Sequence, residues 1–163
     1  MPLINPKTVA VPRPTQETPS PFIEETRSIL GRFYASGEFN YVLRQKIDLS
    51  IVIPAYNEQA RLPGTVLETI RWCTTQNVTF ELIIADDGSR DETLALGRLF
   101  EESDTRIRIL ACPHLGKGAA VRIGMLEAKG RFVMFMDADG ATPLNEFHKL
   151  LAAMRRVTTW QSV

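Results

Sequence analysis

Four short polar segments of the sequence combine carboxylates, glycines and a lysine, the residue types with which proteins bind phosphates and metal ions. The segments are Pro54-Ala55-Tyr56-Asn57-Glu58, Asp86-Asp87-Gly88-Ser89, Gly116-Lys117-Gly118 and Asp137-Ala138-Asp139-Gly140. Each lies just after an apolar run of the kind that forms a buried strand. Because ligands of open α/β sheets bind at the carboxyl ends of the strands, we expect the four segments to form one site.

Asp137 and Asp139 form an Asp-x-Asp (DXD) motif directly after an apolar run. Two carboxylates at the lip of a sheet are costly unless a cation or hydrogen-bond donors compensate their charge. Hard divalent ions such as Mg²⁺ take one or two protein carboxylates together with phosphate oxygens. The motif therefore indicates a metal–diphosphate site, and the alternative is a pair of turn-forming, helix-capping aspartates that lead into Gly140 and Thr142.

The other two acidic segments contain residue types that suit a nucleotide. Of Asp86 and Asp87, one carboxylate can serve the following turn and helix start, and the second could accept hydrogen bonds from a base or a sugar. The Tyr56 ring beside the Glu58 carboxylate suits stacking on a nucleobase. The alternative for this last segment is a solvated loop.

The glycine-rich segment around Lys117 would allow a close approach to phosphates, with the lysine as the countercharge. It lacks the glycine and hydroxyl positions of a Walker A loop, and the alternative is a tight turn before a buried helix. His114 and His148 lack the spacing of metal ligands, so we assign them no role. No Ser/His/Asp or Cys/His arrangement of a nucleophilic enzyme is recognisable in the sequence.

The segments between these polar positions alternate between two periodicities. Apolar runs predict strands at 49–53, 82–85, 107–111 and 132–136, and helical spacing predicts helices at 20–36, 63–75, 89–102, 118–129 and from 142 onward. Strands that alternate with helices indicate βαβ units and a parallel sheet. We therefore expect the α/β class: a Rossmann-like, open, mostly parallel sheet with helices on both faces.

Two helices carry more detailed expectations. Ser89 and Glu92 have the spacing of a capping box and predict a helix that starts at Ser89. The helix predicted from Gly118 to Lys129 is apolar on most sides, so we expect it to be well buried.

The N-terminal part of the chain differs in composition from the rest. Six of the ten prolines lie in the first 21 residues, which predicts a disordered arm over residues 1–20. A helix and linker are expected over residues 21–47, with an apolar face that packs on the body or, alternatively, meets a membrane surface. Residues 48–163 then form the unit that contains the polar segments.

Composition excludes several classes of protein. Lys+Arg and Asp+Glu both number 19, and a net charge of zero argues against nucleic-acid binding by bulk electrostatics. The longest strongly apolar run, residues 132–136, is far shorter than a membrane helix, and the N-terminus does not resemble a signal peptide. Cys73 and Cys112 predict two reduced, buried thiols in a cytoplasmic protein.

Together the four polar segments resemble a family 2 inverting glycosyltransferase with the GT-A fold, over about residues 48–154. The run from Asp137 to Thr142 is most similar to the dolichyl-phosphate β-glucosyltransferase branch and its bacterial relatives. Mannosyl-transferring relatives typically carry Gln where this sequence has Ala141. The absence of that Gln favours a glucosyl-type enzyme and leaves the metal with fewer side-chain ligands.

The resemblance implies a nucleotide-sugar donor, UDP-glucose, and a polyprenyl or dolichyl phosphate acceptor whose phosphate oxygen attacks without a strong protein base. It implies Mg²⁺ or Mn²⁺ at Asp139 together with Asp137. Ala85 and Asp87 would meet the base while Asp86 supports the turn. The implied donor-binding residues are Pro54, Tyr56, Asn57, Glu58, Ala85, Asp86, Asp87, Gly116, Lys117, Gly118, Asp137 and Ala138.

Only 24 residues follow Asp139, whereas members of this family continue well past the motif. We therefore expect a donor-binding half that lacks its acceptor half, has no identifiable catalytic residue and associates with the membrane at most peripherally. One alternative is a non-catalytic or inactive donor-binding remnant. Another is a haloacid-dehalogenase-type phosphatase with Asp137 as nucleophile, although Ala141 interrupts that motif.

Overall fold

The structure of the chain, a computed structural model, describes residues 19–36, 46–139, 149 and 152. The arm predicted over the first residues and the helix predicted from Thr142 lie almost entirely outside them. In chain order the elements are α1 (Pro21–Ala35), β1 (Leu49–Ala55), α2 (Leu62–Thr75), β2 (Phe80–Asp86), α3 (Thr93–Ser103), β3 (Ile107–Ala111), α4 (Lys117–Leu126) and β4 (Phe132–Phe135).

The four described strands form one parallel sheet in the order β3-β2-β1-β4. Ala55 at the end of β1 pairs with Asp86, which in turn pairs with Ala111 of β3, so three strands end level with one another. The order changes direction at β1, which has β2 on one side and β4 on the other. The carboxyl ends of β1 and β4 therefore lie at the switch point of the strand order, which is where open α/β sheets bind ligands.

Helices cover both faces of this sheet. Ile51 and Ile53 face a cluster that includes Val66 of α2 and Phe100 of α3. Val52 points to the opposite face, where α4 packs. Alternate strand residues therefore serve two separate apolar clusters, and the predicted α/β class is confirmed.

One predicted helix start is wrong. The structure begins α3 at Thr93 rather than at Ser89. Ser89 instead accepts a hydrogen bond from the Asn57 backbone N–H at 2.9 Å, and Asp91 Oδ1 accepts one from the Thr93 N–H at 2.9 Å. The capping box does not form, because the Ser89 hydroxyl binds the loop between β1 and α2 and the Glu92 carboxylate accepts a hydrogen bond from the Ser20 hydroxyl.

The burial predicted for α4 is also wrong. Within the described part of the chain only Ala120 and Gly124 of this helix are buried, and Leu126 is 70% exposed. A Cβ atom at Gly124 would lie 2.4 Å from Cγ1 of Val52, so the helix lies directly on β1. One face packs on the sheet, where Ile123 is partly buried against the Val52 cluster, whereas Met125 and Leu126 are exposed.

The predicted start of α1 and the two predicted thiols are confirmed, whereas α4 ends at Leu126 and not at the predicted Lys129. Ser20 caps α1 by accepting a hydrogen bond from the Ile23 N–H at 3.4 Å, and the helix ends at Ala35. Cys73 and Cys112 are free and buried, and burial raises the pKa of Cys73 to about 12 and of Cys112 to about 11. Among the described helices none has the length and apolarity that crossing a membrane requires.

The start of β4 is fixed by a buried polar contact beneath the sheet. The Glu81 carboxylate accepts hydrogen bonds from the Ser50 hydroxyl at 2.6 Å and from the Lys129 backbone N–H at 2.5 Å. The Gly130 N–H donates to the same Ser50 hydroxyl at 2.7 Å. These contacts place the turn before β4 against β1 and β2, and they set where β4 emerges at the opposite edge.

A second buried network attaches α1 to the body of the domain. The Tyr34 hydroxyl donates to Asp104 Oδ2 at 2.7 Å, and Arg106 Nη2 lies 2.6 Å from the same oxygen. Burial alone would raise the pKa of Asp104, but the hydrogen bonds from Arg106 and Tyr34 outweigh burial and lower it. The carboxylate is therefore held in its charged form.

We expect Gly130→Ala to destabilise the protein. A Cβ atom at this position would lie 2.6 Å from the backbone nitrogen of Ser50, in a buried strand that cannot move away at low cost. The expected loss in the free energy of unfolding, measured by denaturant titration, is about 1–3 kcal/mol. Gly31→Ala in α1 is the control, because no atom lies within 4 Å of its new Cβ, and a gain of about 0.5–1 kcal/mol is expected. Equal losses in the two variants would contradict the steric explanation.

The stability that Asp104 contributes should depend on pH. A carboxyl whose pKa is lowered by folding stabilises the fold above its unfolded pKa, about 4, and loses this effect as the pH falls through the folded value. We expect Asp104→Asn to unfold more easily than the native chain at pH 7, with a difference that shrinks below about pH 4. Urea titrations across this range measure it, with the exposed Glu102→Gln as control. A difference that stays constant with pH would refute the assignment.

Candidate functional site

A cleft of about 170 Å³ opens at the carboxyl ends of β1 and β4. It lies at the switch point of the strand order, where the sequence predicts a site. Residues from the ends of β1, β2 and β4 and from the first turn of α4 meet there. Its lining consists of Pro54, Ala55, Tyr56, Glu58, Asp87, Lys117, Asp137, Ala138 and Asp139.

Eight of the residues predicted from the sequence therefore lie together in this lining, including both aspartates of the DXD motif. The structure places the other five predicted residues outside it. These are Asn57, Ala85, Asp86, Gly116 and Gly118.

Asn57 shapes the loop that carries the cleft residues after β1. Its φ of 55° is a left-handed conformation that Asn tolerates better than most residues. Its backbone N–H donates to Ser89, and its Oδ1 accepts from the Arg90 N–H at 2.9 Å. The residue ties the loops after β1 and β2 together and so orients its neighbours.

Glu58 has a basic partner, Arg61, that was not among the predicted site residues. Arg61 donates from Nε to Glu58 Oε2 at 2.7 Å and from Nη2 to Oε1 at 2.9 Å. This two-point contact fixes the carboxylate plane at the edge of the cleft. Its spacing of three residues falls at the start of α2, where helical geometry brings such pairs together.

Asp86 has the turn-supporting role that the resemblance implies. Its Oδ2 accepts a hydrogen bond from the Ser89 backbone N–H at 3.2 Å. The side chain is buried, and burial raises the pKa of its carboxyl although hydrogen bonds from Ser89 and Gly88 oppose the rise.

The Asp87 carboxylate holds the loop that precedes α4. Oδ1 accepts from the Leu115 N–H at 3.0 Å, and Oδ2 accepts from the Gly116 N–H at 3.0 Å and lies 2.9 Å from Nδ1 of His114. The sequence predicts that one of the Asp86 and Asp87 carboxylates is not needed for the turn and can accept hydrogen bonds from a base or a sugar. The structure shows one already occupied by backbone donors from a loop distant in sequence, although the residue still lines the cleft.

His114 was missed by the sequence analysis. Its ring stacks on the Tyr56 ring with the centroids 4.5 Å apart and the planes 17° from parallel. Because a carboxylate only accepts hydrogen bonds, the His114 tautomer that binds Asp87 carries its proton on Nδ1. No local pattern announces this role, since the partners are brought together by the sheet.

Ala85 and the two glycines do not line the cleft. The Ala85 side chain is fully buried with Val52 and Ile83 on the α4 face of the sheet. Gly116 has a φ of 93°, which residues that carry a side chain rarely adopt, and this conformation turns the chain into α4. Gly118 follows within the first turn of α4. The glycines thus shape the loop that presents Lys117.

Lys117 contacts the first aspartate of the DXD motif. Its Nζ lies 2.5 Å from Asp137 Oδ1, and both side chains are partly exposed in the cleft. The backbone between the two aspartates is fixed from below, because the Thr65 hydroxyl donates to the Ala138 carbonyl at 2.8 Å.

The donor set of the cleft fits a divalent cation. Asp137 and Asp139 supply hard carboxylate oxygens, and the ammonium of Lys117 shows that the first of them accepts a positive group. Within the described ranges no three acidic, His or Cys side chains are grouped to enclose a metal by themselves. The remaining ligands would have to come from a bound anion or from water, and Mg²⁺ is usually bound in proteins with such ligands.

The lining of the cleft combines an aromatic ring, several carboxylates and a lysine. This set suits a ligand with a flat ring at one end and an anionic group that shares a cation with the protein. The described residues of the cleft include no Ser, Thr or Cys side chain placed as a nucleophile.

The sequence model of the family described as "Glycosyl transferase family 2" matches residues 50–159. A dolichyl-phosphate beta-glucosyltransferase of Drosophila melanogaster is 40% identical over 119 residues, which cover 68% of this chain and 36% of that protein. One from Trichomonas vaginalis is 38% identical over 110 residues, covering 64% of this chain and 34% of that protein. The chain thus spans about a third of the length of the curated relatives it matches.

Among solved structures, a mannosyltransferase from Pyrobaculum calidifontis in complex with GDP-Man and Mn²⁺ is similar with a TM-score of 0.49 and 18% identity, over 72% of this chain and 39% of that one. The family match extends from β1 through both aspartates of the cleft and covers more than half of the sequence. The chain therefore belongs to glycosyl transferase family 2.

Proposed function

We propose that the chain binds a nucleotide-sugar donor, UDP-glucose, for inverting transfer of the glucosyl group to dolichyl or polyprenyl phosphate. The observation that carries the proposal is the cleft at the strand switch point, where Tyr56, Lys117 and the two DXD aspartates meet. The names of the relatives, dolichyl-phosphate beta-glucosyltransferases, support the glucosyl donor and the lipid phosphate acceptor.

In this proposal the base end of the donor lies against Tyr56. One face of the Tyr56 ring is already stacked on His114, which stiffens it, and the residue is partly exposed. Glu58 also lines the cleft and offers oxygen acceptors, whereas the Asp87 oxygens already accept hydrogen bonds from the loop before α4. Acceptors beside an aromatic face suit a pyrimidine ring that carries an N–H donor.

The diphosphate end lies against Lys117 and the DXD aspartates. Asp137 and Asp139 would hold Mg²⁺ or Mn²⁺, which when bound offsets charge on the nucleotide diphosphate leaving group. The Lys117 ammonium adds a second positive group to the cleft, beside Asp137. The Ala138 backbone between the aspartates is held by Thr65, so the backbone of this segment does not need to be ordered when the donor arrives.

The acceptor supplies its own nucleophile. A lipid phosphate oxygen is already ionised at neutral pH, so none of the described residues has to remove a proton from it.

Residues 48–163 form the donor-binding domain in this proposal, after the arm 1–20 and the helix and linker 21–47. The proposed place of action is the cytoplasmic surface of the membrane that holds the acceptor.

A phosphatase of the haloacid-dehalogenase type has no support. Asp137 follows the fourth described strand rather than the first, and the family match is to glycosyltransferases. A donor-binding protein without transfer activity is distinguished by experiment: glucosyl transfer from UDP-glucose to a polyprenyl phosphate is measured alongside UDP binding, and binding without transfer assigns that role.

Asp139→Asn is expected to weaken metal-dependent UDP binding by tenfold or more, because the amide is a poorer ligand for a divalent ion and removes one charge. Isothermal calorimetry with UDP in the presence and absence of Mn²⁺ measures this. Glu68→Gln, an exposed carboxylate on α2 outside the cleft, is the matched control and should bind as the native chain does. Well-folded native protein that binds no UDP with Mn²⁺ present would refute the proposal.

Tyr56→Ala should weaken UDP binding by about 1–3 kcal/mol, the usual contribution of an aromatic ring stacked on a base. Tyr56→Phe keeps the ring and is expected to bind within about twofold of the native chain. Competition by uridine, followed by NMR line broadening, separates the base from the diphosphate. If both variants lose the same affinity, the hydroxyl rather than the ring face makes the contact, and the stacking arrangement is wrong.

A further inference from the structure

The ion pair between Lys117 and Asp137 occupies a carboxylate oxygen that the proposed metal also needs. Lys117 Nζ lies 2.5 Å from Asp137 Oδ1, with the lysine side chain 60% exposed and the aspartate 39% exposed. A Mg²⁺ or Mn²⁺ ion bound at that oxygen would sit about 2 Å from it. The ammonium and the divalent ion would then be within a few ångströms of each other, where like charges repel strongly.

The two partners differ in how freely they can move. Asp137 follows Met136, whose backbone N–H donates to Val52 at 2.9 Å, and precedes Ala138, whose carbonyl is held by Thr65. Lys117 is the first residue of α4, and its long side chain extends into the cleft from a loop held by Asp87. The lysine head can therefore leave the contact without any shift of the backbone.

We propose that Lys117 is an internal counter-cation that neutralises Asp137 before ligands arrive and moves to the donor's diphosphate when the metal binds. The inference rests on the proposed function, since it takes the DXD aspartates as the metal site. The move makes room for the metal at Asp137 and adds a positive group at the phosphates. Metal and nucleotide thereby favour each other's binding, and linkage requires the effect to be equal in both directions.

The role differs from that of a fixed phosphate-binding lysine. A fixed lysine would raise nucleotide affinity and leave the affinity for the metal alone unchanged, apart from a general repulsion. A lysine that competes for Asp137 lowers the affinity for the metal alone and does so only while Asp137 is a carboxylate. The two cases are separable without measuring transfer activity.

The test is Mn²⁺ binding to the full chain without nucleotide, followed by the loss of the free-ion paramagnetic resonance signal. Lys117→Met is expected to bind Mn²⁺ about five- to tenfold more tightly than the native chain, because the competing ammonium is gone. At saturating Mn²⁺ the same variant should bind UDP more weakly. Lys117→Gln, which keeps a polar side chain, should show the same two changes.

The control for general repulsion is Arg61→Met, which removes a cation at the same cleft that pairs with Glu58 instead. It should change Mn²⁺ affinity by less than about twofold. A second control repeats Lys117→Met in an Asp137→Asn background, where the gain in Mn²⁺ affinity should vanish. Circular dichroism and thermal unfolding confirm that each variant is folded.

The inference is overturned if folded Lys117→Met binds Mn²⁺ no more tightly than the native chain, or if neither binds it. It is overturned as well if the gain survives in the Asp137→Asn background, which would indicate repulsion without competition. Failure of the proposed function looks different: the native chain would then bind no UDP with Mn²⁺, whereas the Mn²⁺ comparison between the variants could still give the expected result.

Discussion

The position of β4 beside β1 is the constraint on which the cleft depends. Parallel pairing brings Phe135 level with Val52, and the Met136 N–H donates to the Val52 carbonyl, so β4 ends beside the last residues of β1 at the same edge of the sheet. The buried Glu81 carboxylate fixes the other end of this pairing by binding Ser50 and the turn before β4. Because a shift by one residue would turn alternate side chains to the opposite face, this register decides whether the DXD aspartates face Tyr56 or the core.

Three carboxylates of the cleft already have side-chain partners before any ligand is present. Asp87 accepts a hydrogen bond from Nδ1 of His114, Glu58 pairs with Arg61, and Asp137 pairs with Lys117. Only the last of these pairs joins two residues that both line the cleft. The lining itself contains four carboxylates and one lysine, so its own charge is negative although the chain as a whole has a net charge of zero.

The sequence predicted the fold class and the place of the cleft because both follow from patterns along the chain. Continuous apolar runs identified the strands, and the polar residues after them identified the edge where ligands bind. The roles of His114 and Asp87 could not be predicted, because their partners lie about 27 to 58 residues away and meet only across the sheet. The burial of α4 was overestimated, because periodicity shows which side chains are apolar but not which elements cover them.

The single hydrogen bond from Thr65 to the Ala138 carbonyl gives α2 a hold on a site to which that helix supplies no ligand. Asp137 and Asp139 flank the bonded residue, so the backbone that carries both carboxylates is tied to the first turns of α2. Val66 and Ile70 pack this helix into the apolar core. The place of two polar residues at the mouth of the cleft therefore depends on apolar packing beneath the sheet.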